Sequence, residues 1–272
     1  MSHNPNINGV STTERFAVIG NLVAHSLSPK IHNLFAKQVN KSLVYEIIQC
    51  AHNQFQQQVE NFFATGGKGL NVTAPFKQDA YNLAVSTSVR SKQARAANTL
   101  WIKDQKLIAD NTDGIGFIRD LIRAIDPAGK NILVLGAGGA ARGILGPLLS
   151  MAPRSLAVLG RSLAQVFAVR QIFPGIADVL EVGDYDIVIN ATSLGAYTNI
   201  WDWEFMRIKP TTYCYDLSYS IEATTPFVRW AKSHGAAAID GIGMLIEQAA
   251  ASFLIWHGIL PNTQPVLRLF AR

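Results

Sequence analysis

A chain of 272 residues that is 49% hydrophobic and only 16% charged can bury one large core or two modest ones, which excludes a disordered or fibrous protein. Its net charge of +5 is mild, and no run of Lys and Arg interleaved with aromatics accompanies it, so no nucleic-acid partner is expected. Cys50 and Cys214 lie far apart and form no CxxC pair, which argues against structural zinc or a disulfide scaffold and fits a reducing compartment. Residues 1–12 are polar and lack the apolar core of a secretory signal. The most apolar stretches, 132–135 and 249–255, are too short to span a bilayer, so a cytoplasmic enzyme without a membrane partner is expected.

Short apolar runs alternate with longer amphipathic segments in chain order. Residues 15–20 predict a buried strand closed by glycine, and Ser28-Pro29 predicts an N-cap and first helical residue leading into a helix to 39. Strand 43–49 follows, then helix 54–64, in which Phe55, Val59, Phe62 and Phe63 recur at spacings of three and four. Strand 69–72 leads to a helix that Pro75 should begin and Leu83 end. Segments 98–102 and 106–109 read as a hairpin. Beyond Asp113 the units become regular: strand 131–135 and helix 140–149, strand 156–159 and helix 163–172, strands 187–189 and 213–216, helix 225–234 and strand 236–239. Such β-α units imply parallel sheets flanked by helices. A boundary is expected in the helix after Asp113. The apolar helix 244–256 is expected to return to the first domain, giving domains 1–113 plus 245–272, and 114–244.

Gly136-Ala137-Gly138-Gly139-Ala140-Ala141 follows four apolar strand residues and opens a helix. This is the dinucleotide turn with alanine in third place: the first glycine permits the turn, the second lets backbone approach a pyrophosphate, and the helix N-terminus offers free N–H groups. At the end of the next strand stands Gly160-Arg161-Ser162 rather than the carboxylate that would accept from a ribose 2′-hydroxyl. Arg161 suits a 2′-phosphate and Ser162 adds a hydroxyl donor, so NADP is favoured over NAD. Thr192, Ser193, Leu217 and Gly241 are candidates for the nicotinamide side.

Ser26 and Ser28 put two hydroxyls beside a helix start, which suits a carboxylate but also ordinary capping. Asn71, Thr73 and Lys77 end one strand and begin a helix; Asn98 and Asp113 follow. The segments SLSPKIHN, GLNVTAPFK, NTL, DNTDGIGF, GAGGAAR, NATSLG, YDLSY and DGIGMLIEQA resemble, in order and spacing, the motif series of the shikimate dehydrogenase family. The resemblance runs from about Arg15 to the C-terminus. It implies an α/β fold of two domains, an N-terminal substrate domain and a Rossmann-like NADP domain with a cleft between. It implies NADP-dependent reduction of 3-dehydroshikimate to shikimate, a step toward aromatic amino acids.

Through the same resemblance, Ser26 and Ser28 would hold the substrate carboxylate. Asn71, Thr73, Asn98 and Gln248 would bind the ring hydroxyls, and Tyr219 would support the substrate from the other domain. Lys77 and Asp113 would be the catalytic pair. The chemistry agrees, since hydride addition to a ketone leaves an alkoxide that needs a proton and a nearby positive charge. A quinate/shikimate dehydrogenase and a non-catalytic NADP-binding protein are the alternatives. Serine at 28, rather than threonine, leans toward shikimate, and retention of Lys77 and Asp113 speaks against a non-catalytic protein.

Three positions depart from the family pattern. Where that pattern has Asn-Arg-Thr and then a second cation, this chain has Gly160-Arg161-Ser162 and Gln165. Arg95 stands where glycine is usual, and Leu194 where a small or polar residue precedes Gly195. His25 and His32 have no metal-ligand spacing and are expected to be structural. Trp201, Trp203 and Trp230 are expected to pack or anchor loops.

Overall fold

The first apolar run forms strand β1 (Glu14–Gly20), whose alternate residues enter two different cores. Phe16 and Val18 join one, Ala17 and Ile19 the other. A strand covered on both faces has no polar side, which is why its sequence reads as a continuous apolar run. The computed structural model describes residues 13–179, 185–192, 206 and 208–271.

In the first sheet β1 lies between β2 (Leu43–Gln49) and β3 (Gly67–Val72), parallel to both. The expected hairpin is β5 (Thr99–Lys103) and β6 (Lys106–Asp110), antiparallel to each other, with β5 antiparallel to β3. A two-residue strand, β4 (Ser86–Thr87), completes the order β2-β1-β3-β5-β6-β4. One face is covered by α2 (Phe55–Ala64), through Phe55, Val59 and Phe62, and by Phe76 and Ala80 at the start of α3 (Lys77–Leu83). Helix α1 (Ser28–Gln38) joins the apolar cluster on the other side.

The starts of α1 and α3 differ from expectation. Ser28 is the first helical residue rather than the cap; Leu27 holds the cap position, and the Ser26 hydroxyl accepts from the Ser28 N–H at 3.2 Å. The helix expected from Pro75 begins at Lys77, because the Phe76 N–H bonds the Thr73 carbonyl and closes a turn first.

The second sheet is entirely parallel, in the order β11-β10-β9-β7-β8. Its strands are β7 (Asn131–Leu135), β8 (Ser155–Leu159), β9 (Ile187–Asn190), β10 (Tyr213–Asp216) and β11 (Ala237–Ile239). Along β7, Ile132 and Val134 face the core with α6 (Gly139–Ser150) and α7 (Leu163–Ile172), while Leu133 and Leu135 face the core with α8 (Pro226–Ser233). This is the Rossmann-like layering expected from the β-α alternation.

Two helices join the sheets. Helix α5 (Asp113–Leu121) leaves the first sheet, and α9 (Ile242–His257) lies along it. Contact is close because Gly116 has no side chain: a Cβ there would lie 2.6 Å from the Gln248 nitrogen and 2.7 Å from the Met244 carbonyl oxygen. The far half of α9 buries Ile246, Ala249, Ala250 and Phe253 against Ile31 and Phe35 of α1. Helix α10 (Thr263–Phe270), which the sequence reading did not anticipate, adds Val266 to that cluster.

Helix α4 (Val89–Ala94), also unanticipated, ends at Arg95 in the left-handed region, φ 46° and ψ 40°. That is the helix C-cap conformation glycine adopts without steric cost, which accounts for glycine being usual here. Burial lowers the pKa of Arg142 on α6, and the nearby Arg95 charge adds to that shift. Arg95→Gly should therefore stabilise the fold by about 1 kcal/mol, read as a higher urea midpoint; a lower midpoint would contradict this account.

Candidate active site

The turn after β3 and the start of α5 bring Lys77 and Asp113 together. Lys77 Nζ donates to Asp113 Oδ2 at 2.7 Å, with only 14% and 5% of the two side chains exposed. Both are first residues of helices, and a carboxylate at the N-terminus of α5 is favoured by the helix dipole. The other aspartate of the motif has a different role. Asp110 is taken up by Arg90, the Ser88 hydroxyl and the Asn111 N–H, and so anchors the loop.

Beneath the pair lies a buried floor of amides and hydroxyls. The Thr112 N–H donates to Asn98 Oδ1 at 2.8 Å, which fixes the orientation of that amide. Asn98 Nδ2 therefore faces Asp113 Oδ1 at 2.9 Å and Gln248 Oε1 at 3.1 Å. Asn71 Nδ2 faces the Asn98 carbonyl oxygen and the Ser252 hydroxyl, both at 3.0 Å. Ser252 also contacts the hydroxyls of Thr99 and Thr112. Four separate stretches of chain thus converge on one polar floor, and Asn71, Asn98 and Gln248 of the expected set are brought together.

Ser26 and Ser28 lie at the start of α1, half-buried and buried respectively. Tyr219, beyond β10 in the other half of the molecule, accepts at its hydroxyl from the Leu27 N–H between them, at 3.5 Å. Thr73 is half-buried at the end of β3. His32 is buried and stacks on Tyr45 with centroids 4.4 Å apart, and burial lowers its pKa to about 3. It is a neutral packing ring, as expected, while His25 is exposed.

The glycine turn closes over this site. Gly136 has φ +105°, and Gly138 stands before α6 with no side-chain cap on the helix. A Cβ on Gly138 would meet no atom within 4 Å, so clear space lies at the N-terminus of α6, as a dinucleotide pyrophosphate requires. A Cβ on Gly139 would lie 3.3 Å from Lys77 Cβ, and one on Gly143 3.1 Å from Asp113 Oδ2. The turn and first half of α6 therefore rest directly on the ion pair. Ala137 is buried against the sheet and Ala140 half-buried.

Arg161 and Ser162 are exposed at the end of β8, with Gly160 half-buried. Ser162 Oγ caps α7 by accepting from the Gln165 N–H at 3.3 Å, which leaves its own proton free to donate. Just beyond β9, the Thr192 N–H and hydroxyl both donate to Asn190 Oδ1. Asn190 Nδ2 donates in turn to Asp216 Oδ1 at 3.0 Å. Gly241 is glycine for packing reasons as well as any ligand, since a Cβ there would collide with the Leu217 carbonyl. Ser193, Leu194, Trp201 and Trp203 lie outside the described residues.

Sequence reasoning passed over Tyr45, Thr99, Thr112 and Ser252 in the floor and Asp216 beside the cofactor turn. Ser252 carried a signal: it is a lone hydroxyl on an apolar helix, four residues from Gln248. Among the described residues no group of His, Cys, Asp and Glu could hold a metal ion, and no helix is long and apolar enough to cross a membrane.

Two α/β units, with a dinucleotide-type turn closed over a lysine–aspartate pair, define an oxidoreductase-like class of protein. Residues 18–100 match the family model described as shikimate dehydrogenase substrate binding domain, and residues 241–269 match shikimate 5'-dehydrogenase C-terminal domain. A relative from Legionella pneumophila (strain Lens), named shikimate dehydrogenase (NADP(+)), is 47% identical over 260 residues, covering 93% of this chain and 97% of its own. The crystal structure of shikimate dehydrogenase from Aquifex aeolicus superposes with a TM-score of 0.86 at 30% identity, covering 96% of this chain and 98% of that one. That of the Thermus thermophilus enzyme, in complex with NADP(H) and shikimate, gives 0.84 at 28%, covering 95% and 98%. The chain belongs to the shikimate dehydrogenase family.

Asp216 provides a test of the cofactor-side geometry. It is fully buried, and burial, with a contribution from the Asp240 charge, pushes its carboxyl up to about 6 against hydrogen bonds from Thr225, Ser218 and Asn190. The folded chain thus binds this proton more tightly than the unfolded chain does. Its stabilising effect is present below about pH 4 and lost as pH rises through about 6. Asp216→Asn should stabilise the fold by on the order of 2 kcal/mol at pH 7.5 and have little effect at pH 4. Urea unfolding at both pH values decides it, and an equal effect at the two would contradict the raised carboxyl.

Proposed function

We propose that this chain catalyses the reversible NADP-dependent reduction of 3-dehydroshikimate to shikimate. The reading is carried by the Lys77–Asp113 pair, 2.7 Å apart beneath the Gly136–Gly139 turn. Relatives named shikimate dehydrogenase (NADP(+)) and the Thermus thermophilus complex with NADP(H) and shikimate support it. We assign residues 1–113 and 245–272 to the substrate domain and 114–244 to the cofactor domain. The enzyme acts on a small molecule in the cytoplasm, as a monomer or a homodimer.

In this reading Ser26 and Ser28 hold the ring carboxylate, with Tyr219 beside them from the other domain. Asn71, Thr73, Asn98 and Gln248 read the ring hydroxyls. The turn Gly136–Gly139, with Ala140, binds the pyrophosphate, and Arg161 with Gly160 and Ser162 binds the 2′-phosphate. Thr192, Ser193, Leu217 and Gly241 border the nicotinamide, and the bound NADPH supplies the hydride.

The residues manage charge and proton. As the carbonyl oxygen gains negative charge, the Lys77 ammonium stabilises it and then releases a proton to it. Asp113 Oδ2 keeps the ammonium aimed, and its Oδ1 is itself held by Asn98, so neither partner has to reorganise. In the reverse direction Lys77 takes the proton from the substrate hydroxyl. The turn and α6 above the pair keep water from competing for that proton.

Absorbance of the reduced cofactor, followed with shikimate and with quinate against NADP and NAD, tests the reading directly. Activity is expected with shikimate and NADP; activity with none of the four pairs would refute it. Lys77→Ala should lower kcat by about 10²–10⁴ while changing the KM for shikimate far less. Near-normal turnover would remove Lys77 from its role.

Cofactor choice should be less strict than two cations would make it. With Gln165 in place of the second, the NADP preference in kcat/KM should stay below about a hundredfold, and Gln165→Arg should raise it about five- to tenfold. A preference of several orders of magnitude in the unsubstituted enzyme would contradict this.

A further inference from the structure

Arg142 lies in the first turn of α6, which packs against α4. Its Nε is buried without a hydrogen-bond partner, and among the described residues no carboxylate pairs with its guanidinium. The aspartates nearby are already engaged, Asp110 by Arg90 and Asp113 by Lys77. An arginine cannot shed its charge, so burying its N–H groups without an acceptor is unfavourable.

Arg95, just past the end of α4, adds a second unmatched charge. Among the described residues it has no ion pair, and its charge adds to the effect of burial on Arg142. Its backbone sits at φ 46°, where a side chain is strained. Strain, desolvation and repulsion thus all oppose this arrangement, and no carboxylate among the described residues offsets them.

Between the helices lies a pocket with about 280 Å³ of free space, partly open to solvent. Arg90, Gln93, Asn111, Arg142 and Gly143 are among the residues that line it. None of Gly136–Gly139 does, nor does Lys77 or Asp113, so the pocket is separate from the glycine turn and from the ion pair. A guanidinium edge facing open space suits an oxyanion, because Nε–H and Nη–H donate side by side to two oxygens. Two unmatched positive charges fit a phosphate, which carries about 1.5 to 2 negative charges at neutral pH. A carboxylate, with a single charge, would leave one arginine unmatched.

From this we infer that the seam between α4 and α6 is an anion site, where Arg142 and Arg95 bind a phosphate group. That group is inorganic phosphate or the end of a small phosphate monoester. An anion here ties α4, which packs on β6 of the first sheet, to α6, which covers the second. It turns a repulsive contact between the two units into an attractive one. The site is distinct from the phosphate positions proposed for the cofactor, and it does not depend on which substrate the enzyme reduces.

Calorimetric titration of the full-length protein provides the test, with sodium phosphate and glycerol phosphate as separate titrants and ionic strength held constant with sodium chloride. A saturable equivalent of one or both should bind in a way that needs both arginines, and the tighter ligand names the source. Arg95→Gly and Arg142→Gln should each weaken that binding at least about tenfold, whereas Arg161→Ala should change it by less than about twofold. Arg95→Gly is expected to fold at least as well as the unsubstituted chain, so it decides the matter even where Arg142→Gln is not recovered folded. Phosphate should also raise the melting midpoint of the unsubstituted protein more than that of Arg95→Gly. No saturable binding of either titrant, binding unchanged by Arg95→Gly, or binding lost with Arg161→Ala would each overturn the inference. The readout needs no turnover, so a failure of the functional reading would produce none of these results.

Discussion

Holding a lysine ammonium and a carboxylate 2.7 Å apart, away from most water, is the constraint on which the rest of this structure turns. Removing both charges from solvent costs more than their attraction alone returns unless further hydrogen bonds satisfy the remaining atoms. Asp113 meets that condition through Asn98, and Asn98 is in turn fixed by the Thr112 N–H. Ser252, Thr99 and Thr112 then satisfy the underside of Asn71 and Asn98. The polar floor is thus a consequence of the ion pair, and it also supplies the groups that can read a polyhydroxylated ring.

The same constraint explains the glycines of α5 and α6. For the cofactor turn to cover Lys77 and Asp113, two helix backbones have to come close to the pair and to each other. A Cβ on Gly114 would lie 2.7 Å from the Gly143 carbonyl oxygen, and Gly143 itself faces Asp113 and Asn111. Side chains at these positions would lift α6 off the ion pair and admit water. Since α5 and α9 also carry the connections between the sheets, the seam that encloses the chemistry is the one that joins the two units.

Much of this was legible in the sequence where the physics is local. The apolar runs of β1 and β7, the three- and four-residue spacing in α2, and the strand–glycine–helix pattern at 131–149 gave elements that the structure bears out. Short elements gave no such signal: β4 has two residues and α4 six, and α10 carries Pro265 in its first turn. The start of α3 at Lys77 depended on a turn hydrogen bond that residue types do not display. Arg95 was visible as an oddity, but only its backbone angles gave the reason.

The sequence by itself determined the two α/β units, the family, and that Lys77, Asp113, Asn71, Asn98 and Gln248 belong together, because motif spacing and strand–helix periodicity are properties of contiguous chain. It also pointed to Arg161 as the expected partner of a 2′-phosphate, with Gln165 where a second cation would lie. Tertiary structure decided the role of the other aspartate of the DNTD segment, Asp110, which serves Arg90. It decided that Tyr45, Ser252 and Asp216 stand behind the site, and that α6 rests on the ion pair. These contacts join residues as far as 181 positions apart. No local periodicity encodes such pairs; they arise when strand register and helix crossing bring separate stretches to the same few cubic ångströms.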